Sequence, residues 1–396
     1  MKIINRTVLL LSLVSLFADV ASEMLYPVIP VYLRQIGFSV FLIGVLEGVA
    51  GFTAGLTKGY FGKWSDETGR RLPFIKSGYF LSALSKPMMG WWALPLWVFF
   101  VRTLDRLGKG LRTAARDALL AQNSTPQTKA RVFGFHRSMD TLGAAIGPCL
   151  ALALLWWQPG NYILLFWIAF VPGLLSVGLI FFLREGRAPA ATLRRGNFFS
   201  FFRYWGIARP TYKRLAAGLL FFTLFNSSDV FLLLKAHELF AREGHSNAQA
   251  DGLTIGAYIL YNVVFAAAAY PAGALADRIG PRRVIVGGLL LFAGVYALFA
   301  GAESSVAVWA GFVLYGCYAA ATEGVAKSWL AGLAPTDTAT ALGLFSSGES
   351  IGALLASVIA GALWSGYGPG AAFGVTAAAA FASAVYLLII KTEEPR

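Results

Sequence analysis

Residues 62–71 read Gly-Lys-Trp-Ser-Asp-Glu-Thr-Gly-Arg-Arg, and residues 273–283 read Gly-Ala-Leu-Ala-Asp-Arg-Ile-Gly-Pro-Arg-Arg. In both stretches a glycine is followed four residues later by an aspartate, then by a second glycine and a pair of arginines. Each stretch comes directly after one long apolar segment and before another. A turn repeated at the same place in two hydrophobic halves indicates duplication, and duplicated membrane halves are typical of secondary transporters.

The two turns are predicted to act as gates on the cytoplasmic side. Their aspartate can accept hydrogen bonds at the N-terminus of a neighbouring helix, while the arginines hold the cytoplasmic face closed. The predicted gating residues are Gly62, Asp66, Gly69, Arg70 and Arg71 in the first turn, and Gly273, Asp277, Arg278, Gly280, Arg282 and Arg283 in the second.

The composition predicts an all-α membrane protein. Of the 396 residues, 57% are hydrophobic and 13% are charged, whereas soluble domains carry about 25% charged residues. Twelve segments approach or exceed the roughly 20 residues that cross a bilayer. They lie near 7–33, 41–61, 72–93, 96–121, 131–157, 162–183, 213–240, 251–275, 284–301, 306–332, 339–365 and 370–390. We therefore expect twelve transmembrane helices in two pseudo-symmetric six-helix halves, residues 1–184 and 213–396, joined by a cytoplasmic linker at 185–212.

The distribution of charge predicts the orientation. The net charge is +13, and the cations concentrate in alternate loops and in the linker, whereas the intervening loops hold few. This positive-inside pattern places both termini, both turns and the linker in the cytoplasm of a protein integral to the plasma (inner) membrane. The basic charge is thus assigned to orientation and contact with the lipid bilayer, and no nucleic-acid partner is expected.

Two further motifs lie inside predicted spans. Span four contains residues 106–114, Arg-Leu-Gly-Lys-Gly-Leu-Arg-Thr-Ala. Span five contains Gly134, Gly143, Gly147 and Pro148, spaced as G-x8-G-x3-G-P.

Together with the two turns, these motifs resemble the major facilitator superfamily of transporters across essentially the whole chain. The turns match the superfamily's loop signature between helices 2 and 3 and between helices 8 and 9, although Glu67 stands where a basic residue is usual. Span four is similar to the pattern R-x-x-q-G-x-g-a-a, with Lys109 and Arg112 replacing the amide and a small residue. Span five is similar to the motif of proton-coupled antiporters, although Ala151 and Leu152 replace its trailing glycines. The resemblance implies a substrate site near the midplane and alternating access.

Ionisable and polar residues inside the spans are the candidate site. A charge within a membrane costs at least about 2.5–3.5 kcal/mol, so each one needs a partner or a purpose. The predicted proton-coupling and substrate residues of the first half are Asp19, Glu23, Tyr26, Glu47, Arg102, Asp105, Arg106, Lys109, Arg112, Arg137 and Asp140. Those of the second half are Asn226, Asp229, Tyr261, Asn262, Glu323, Lys327 and Glu349. A water-accessible cavity and a set of structural ion pairs both remain open as explanations.

The leading functional hypothesis is proton-coupled efflux of a drug-like compound or metabolite by a monomeric secondary transporter, with a small molecule and protons as its partners. The cations of span four keep open a second hypothesis, proton-coupled uptake of an anionic solute. From a different class, a receptor or scaffold that transports nothing is also considered. No zinc-protease or P-loop motif is present, so an enzyme is not expected. Cys149 and Cys317 fall inside spans, and neither a metal site nor a cofactor is predicted.

Overall fold

The computed structural model describes residues 4–26, 28–29, 32–33, 36–37, 40–185, 197–227 and 229–390, except for the side chains of 40–45, 47–48, 247–248 and 251. The side chain of Glu47 and the linker residues 186–196 therefore lie outside the described part. Within that part the chain is helical and contains no β-strand, which confirms the predicted all-α class.

The helices follow the predicted spans closely. They are α1 (Arg6–Glu23), α2 (Val40–Thr68), α3 (Leu72–Met88), α4 (Pro95–Gln122), α5 (Lys129–Trp157), α6 (Tyr162–Ile180), α7 (Pro210–Thr223), α8 (Val230–Arg242), α9 (Asn247–Ile279), α10 (Pro281–Ala300), α11 (Ser305–Leu333), α12 (Thr338–Tyr367) and α13 (Pro369–Ile389). A 3-10 helix at Phe198–Arg203 and a single turn at Tyr204–Ile207 precede α7. Seven of the described helices are long and apolar enough to cross a membrane by length and composition alone.

Two predicted spans are not the continuous helices that the sequence suggested. Span seven, expected over 213–240, is divided into α7 and α8 by the segment after Thr223, where short polar side chains compete with the helix for backbone hydrogen bonds. Span one, expected over 7–33, has its helix end at Glu23, shortly before Pro27 and Pro30 in the sequence. Proline lacks an amide donor and disfavours helical geometry in the residue before it. Interrupted helices of this kind are common in transporters with repeated halves.

The chain forms two compact units. The first comprises Met1–Thr125, Met139–Ala208 and Ala334–Ser350, and in it α1 packs against α6 while α4 packs against α2 and α3. The second comprises Pro126–Ser138, Arg209–Leu333 and Ile351–Arg396, with α9 packed on α11 and α10 on α13. The first turns of α5 therefore belong to the second unit, and those of α12 belong to the first. The boundaries 1–184, 185–212 and 213–396 stay a prediction.

Candidate functional site

Helix α4 carries the charged face of the first unit. Arg102, Arg106, Lys109, Arg112 and Arg116 follow one another at three- or four-residue steps, which places them on one side of the helix. Their exposure differs along that side. Lys109 is exposed and Arg106 is half-buried, whereas Arg102, Arg112 and Arg116 are each at most 7% exposed. We call these residues, with the carboxyl groups and the lysine described next, the ionic cluster.

At one end of the ionic cluster, a serine hydroxyl and two cations surround the Asp105 carboxylate. Its carboxylate accepts hydrogen bonds from the Ser82 hydroxyl at 2.5 Å and from the Lys86 ammonium at 2.9 Å, and Arg102 lies 3.5 Å away. Lys86 was not among the predicted site residues. The signal that could have found it is a lysine inside an apolar segment. Because its partners are all satisfied within the protein, Asp105 serves to hold α3 against α4.

The other end is organised by Ser15 of α1. The Ser15 hydroxyl donates to Asp140 at 2.6 Å and accepts hydrogen bonds from Arg116 at 2.9 Å and from the Tyr79 hydroxyl at 3.4 Å. Arg116 also pairs with Asp117 at 2.9 Å and lies 3.8 Å from Asp140. A single serine thus links α1, α3, α4 and α5.

Asp19 and Asp140 are brought together between these two ends. A Cβ atom at Gly143, one turn after Asp140, would lie 3.1 Å from the Cβ atom of Asp19, and Asp140, Lys109 and Arg112 all act electrostatically on the Asp19 carboxyl group. Two neighbouring carboxylates repel each other, so such a pair is suited to hold one proton. Glu23, one turn further along α1, lies in the positive field of Lys109, Arg106, Lys86 and Arg102. Side chains of α1, α4 and α5 thus meet in the ionic cluster, as the contacts among Ser15, Arg116 and Asp140 show.

Close packing of α5 on α1 makes this arrangement possible. A Cβ atom at Gly143 would overlap the backbone carbonyl of Leu16, and one at Gly147 would approach the backbone of Val20 and Met24 to 2.8 Å. The glycines of the span-five motif thus let Asp140 approach Ser15 and Asp19. Gly134, at the start of α5, makes an equally close approach to Ala269 in the second unit. Pro148 lies inside α5 without ending it.

Arg112 has an unusual environment within the ionic cluster. Its guanidinium stacks on the ring of Tyr79, 4.2 Å from the centroid, and the side chain is 3% exposed. Among the described residues, no acceptor lies within hydrogen-bonding distance of its Nε and Nη1 atoms. Buried donors without acceptors, such as these two nitrogen atoms, are rare because each unpaired donor retains its full desolvation penalty.

The predicted residues of the second unit form a separate, aromatic group. Asp229 accepts a hydrogen bond from the Tyr315 hydroxyl at 2.6 Å, and Asn226 donates to the Tyr318 hydroxyl at 3.4 Å. Tyr261 is buried, with its ring 5.0 Å from that of Tyr315.

The remaining predicted residues are placed around these groups. The Nδ2 group of Asn262 donates to the Tyr258 carbonyl at 3.0 Å. Glu323 forms a close ion pair with Arg137, whose guanidinium also lies over the ring of Phe265. The pairing of Glu323 with Lys327, which the four-residue spacing suggested, stays a prediction. Tyr26 is exposed at the end of α1, and Glu349 is half-buried on α12 in the first unit.

The first of the two repeated turns contacts the start of α12. Asp66 is fully buried and accepts hydrogen bonds from the backbone amides of Ala339 at 3.4 Å and Thr340 at 2.6 Å, and from the Thr340 hydroxyl at 2.7 Å. Arg71 pairs with its carboxylate at 2.5 Å. Burial raises the pKa of the Asp66 carboxyl, while the Arg71 charge and the Thr340 donors oppose that rise.

The second turn makes the same contact in the second unit. Asp277 accepts hydrogen bonds from the backbone amides of Ala130 and Arg131, both at 3.0 Å, at the start of α5. In each unit the aspartate therefore binds the second and third amides of a helix, where unpaired donors and the helix dipole favour an anion.

The first glycine of each turn has an equivalent role. A Cβ atom at Gly62 would overlap the backbone carbonyl of Ala339, and one at Gly273 would overlap that of Ala130. The two turns that repeat in the sequence therefore make equivalent contacts, the first with the start of α12 and the second with the start of α5.

The arginines of the two turns are used differently. Arg71 is 1% exposed and donates to the Ser65 hydroxyl at 2.9 Å, while its backbone amide and that of Leu72 bind the Glu185 carboxylate. Arg282 instead donates to the backbone carbonyls of Leu387 and Leu388. Arg70, Arg278 and Arg283 are exposed. Glu67, the departure from the usual signature, pairs with Lys63 at 2.5 Å. Gly69 and Gly280 both have positive φ values, 63° and 93°, as the turns require.

One short motif has a spacing known from hydrolases. Residues 348–352 read Gly-Glu-Ser-Ile-Gly, which matches the G-x-S-x-G pattern of a nucleophile elbow. In that elbow the serine sits on a sharp turn between a strand and a helix. Ser350 lies inside the continuous helix α12, and its hydroxyl donates to the Ser346 carbonyl at 3.0 Å. The geometry of a nucleophile elbow is therefore not formed at this serine.

Comparison with known proteins identifies the family. The family model described as Major Facilitator Superfamily matches residues 11–257 and 220–396. An uncharacterized MFS-type transporter of Methanocaldococcus jannaschii is 32% identical over 371 residues, which cover 91% of this chain and 89% of that protein. The multidrug resistance protein MdtG of Escherichia coli is 28% identical over 153 residues, or 38% of this chain and 37% of that protein.

Solved structures share the fold at lower identity. The human organic anion transporter MFSD10 superposes with a TM-score of 0.78 at 21% identity, covering 96% of this chain and 99% of that one. The fucose:proton symporter FucP of Escherichia coli gives a TM-score of 0.77 at 14% identity, covering 96% and 98%. At these identities the likeness concerns the fold alone.

Proposed function

Because the chain belongs to the major facilitator superfamily of membrane transporters, we propose that it is a proton-coupled secondary transporter that exports a small metabolite or drug-like molecule. It works as a monomer in the cytoplasmic (inner) membrane, with both termini in the cytoplasm. The observation that carries the proposal is the proximity of two carboxyl groups, Asp19 and Asp140, inside the ionic cluster, which we propose share a proton.

A shared proton is a suitable coupling device. The proton is retained while the two carboxyl groups face each other away from water, since two adjacent carboxylates repel. It is released when the pair separates or when cations approach, because positive charge stabilises the ionised form. Lys109, Arg112 and Arg116 are the cations placed to do this. Alternating access can thereby exchange protons without covalent chemistry.

Two observations support export as the direction. The glycine motif of α5 is similar to that of proton-coupled antiporters, and its glycines are the residues that bring Asp140 to α1. A relative that matches part of this chain carries the name multidrug resistance protein. Both observations concern the direction of transport and do not identify the transported molecule.

Asp66 and Asp277 act as gates in this proposal. Each one holds the first turn of a helix, α12 or α5, by two backbone amides. The first turns of these helices can move only when those hydrogen bonds are released. The energy of the contact, up to about 2 kcal/mol for a partly buried charge at a helix terminus, is small enough for release during a transport cycle.

Uptake of an anionic solute is the second candidate. It is favoured by the number of cations in the ionic cluster, where Lys86, Arg102, Arg106, Lys109, Arg112 and Arg116 all lie in one unit. The same coupling device would serve either direction, so the flux measurement separates the two.

The test is flux in inside-out membrane vesicles energised by a proton gradient, with cationic, neutral and anionic solutes. Gradient-driven accumulation that is lost in Asp140→Asn supports proton-coupled export. Glu303→Gln, which changes an exposed loop carboxylate in the same way, is the matched control and should transport normally. Accumulation that persists in Asp140→Asn would refute the coupling role, and movement only in the uptake direction would replace export by the second candidate.

A further inference from the structure

We infer that the transported molecule carries a negatively charged group, a carboxylate, sulfonate or phosphate monoester, that binds to Arg106, Lys109 and Arg112 of α4. The inference rests on the proposed transport function but not on its proton coupling. It assigns the substrate class from two residues that depart from the usual pattern of this helix, Lys109 and Arg112.

The first argument is the charge of the ionic cluster. Six cations, Lys86, Arg102, Arg106, Lys109, Arg112 and Arg116, lie with five carboxyl groups, Asp19, Glu23, Asp105, Asp117 and Asp140. Among the described residues of the cluster, the cations therefore outnumber the carboxyl groups. An anion is therefore the ligand that completes the cluster, because uncompensated charge in a membrane protein is expensive.

The second argument is that the cations on α4 differ in their accessibility. Arg102 and Arg116 are buried and pair with Asp105 and Asp117, respectively. Lys109 is the exposed cation of the α4 face, and Arg106 beside it is half-buried. Arg106, Lys109 and Arg112 follow at three-residue steps, so that their head groups can converge on one ligand.

The third argument is the state of Arg112. Its guanidinium lies over the ring of Tyr79, and two of its nitrogen atoms, Nε and Nη1, have no acceptor among the described residues. A guanidinium presents a planar fork of donors that matches carboxylate and phosphate oxygens. At positions 109 and 112 the superfamily pattern has an amide and a small residue, which would supply neither the charge nor the fork.

The test uses the lysine itself as a reporter in the full chain, reconstituted in lipid nanodiscs without a gradient. Lys109 is acetylated with sulfosuccinimidyl acetate, which is anionic, and with succinimidyl acetate, which is neutral and transfers the same group. Mass spectrometry gives the rate ratio of the two reagents at Lys109 relative to that at Lys213. We expect the relative ratio to favour the anionic reagent by about tenfold, since a cleft of one charge sign concentrates counter-ions. A ratio near one would overturn the inference.

Two variants and a protection series complete the test. Arg112→Ala, which restores a small residue, and Arg106→Gln should each reduce the preference several-fold, whereas the exposed Arg209→Gln should leave it unchanged. The probes benzoate, benzenesulfonate and phenyl phosphate are then compared with neutral benzamide. Slower labelling of Lys109 by at least one anion but not by benzamide is expected. Full labelling in the presence of every anion, or equal protection by benzamide, would refute the anion site.

The labelling result is independent of the proton coupling. If the vesicle assay fails while the labelling preference holds, the anion site survives and the coupling proposal falls. If the preference is absent while gradient-driven flux of neutral or cationic solutes is observed, the reverse holds.

Discussion

Oδ2 of Asp66 lies 2.6 Å from the backbone nitrogen of Thr340, the third residue of α12, although 274 positions separate the two residues in the chain. Asp277 has the same relationship to Arg131, the third residue of α5. Both contacts use a carboxylate where a helix has unpaired amides, so their strength depends on the negative charge. Removal of that charge is therefore the most direct perturbation of either contact.

We expect Asp66→Asn to slow transport without abolishing substrate binding. The amide keeps one acceptor for the α12 amides but loses the ion pair with Arg71, which weakens the contact by about 1–2 kcal/mol. Initial transport rates and substrate affinity should be measured in parallel, with Asp277→Asn as the equivalent change in the second unit. An unchanged transport rate in Asp66→Asn would remove the gating role.

Gly62→Ala and Gly273→Ala should each destabilise the protein by about 1–3 kcal/mol, the usual range for overpacking. The added methyl group would overlap a backbone carbonyl, of Ala339 or Ala130, which cannot rotate out of the way. Thermal unfolding of the purified protein measures the loss.

Gly294→Ala is the control for these two changes, because nothing lies within 4 Å of its Cβ position in α10. It should be neutral or stabilising by up to about 1 kcal/mol, the helix preference of alanine over glycine. Equal unfolding temperatures for all three variants would show that the close approaches at the two turns are not tight.

Ser15→Ala should lower stability by about 1–3 kcal/mol, because it removes the hydroxyl that donates to Asp140 and accepts from Nη1 of Arg116. Ser365→Ala is a suitable comparison, since Ser365 is exposed and its hydroxyl donates to the Gly361 carbonyl of its own helix. The expected order of unfolding temperatures is wild type equal to Ser365→Ala, and both above Ser15→Ala. A Ser15→Ala protein as stable as wild type would mean that the hydroxyl does not organise the cluster.

The Lys86–Asp105 pair should behave as a coupled structural unit. Removal of one partner, as in Lys86→Met or Asp105→Leu, leaves a buried charge and should cost about 3–5 kcal/mol. The double variant Lys86→Met/Asp105→Leu should be more stable than Asp105→Leu alone, because no lysine is then left without its carboxylate. Additive losses in this double-mutant cycle would exclude the pair as a unit.

The sequence was sufficient for the parts of the molecule that depend on periodicity. The α4 stripe from Arg102 to Arg116, the companion carboxylates on α1 and α5 and the two turns could all be predicted, because spacing along a helix determines which side chains share a face. The breaks after Glu23 and Thr223 were missed, since average hydropathy detects neither the prolines that follow Glu23 nor the short polar interruption that follows Thr223.

Contacts between helices could not be predicted from the sequence. The spacing of residues within a helix does not indicate that Lys86 lies beside Asp105, or that Ser15 links Arg116 to Asp140. These contacts depend on how far one helix is shifted along its neighbour. The engagement of Arg71 and Leu72 by Glu185 was missed for the same reason. The glycines are the exception, because their positions in the sequence indicate where the backbones of two helices approach each other closely.

The presence of Ala334–Ser350 in the first unit has a consequence for biosynthesis. Chains are made from the N-terminus, so the ribosome completes α7 to α11 before it releases the segment that binds Asp66. Until then Asp66 and Arg71 have each other but lack the amides of Ala339 and Thr340. An N-terminal fragment of residues 1–212 would therefore be an incomplete folding unit, and co-expression with the remaining chain should rescue it from degradation. The segment that completes the first unit is therefore made close to the end of synthesis, at the start of α12.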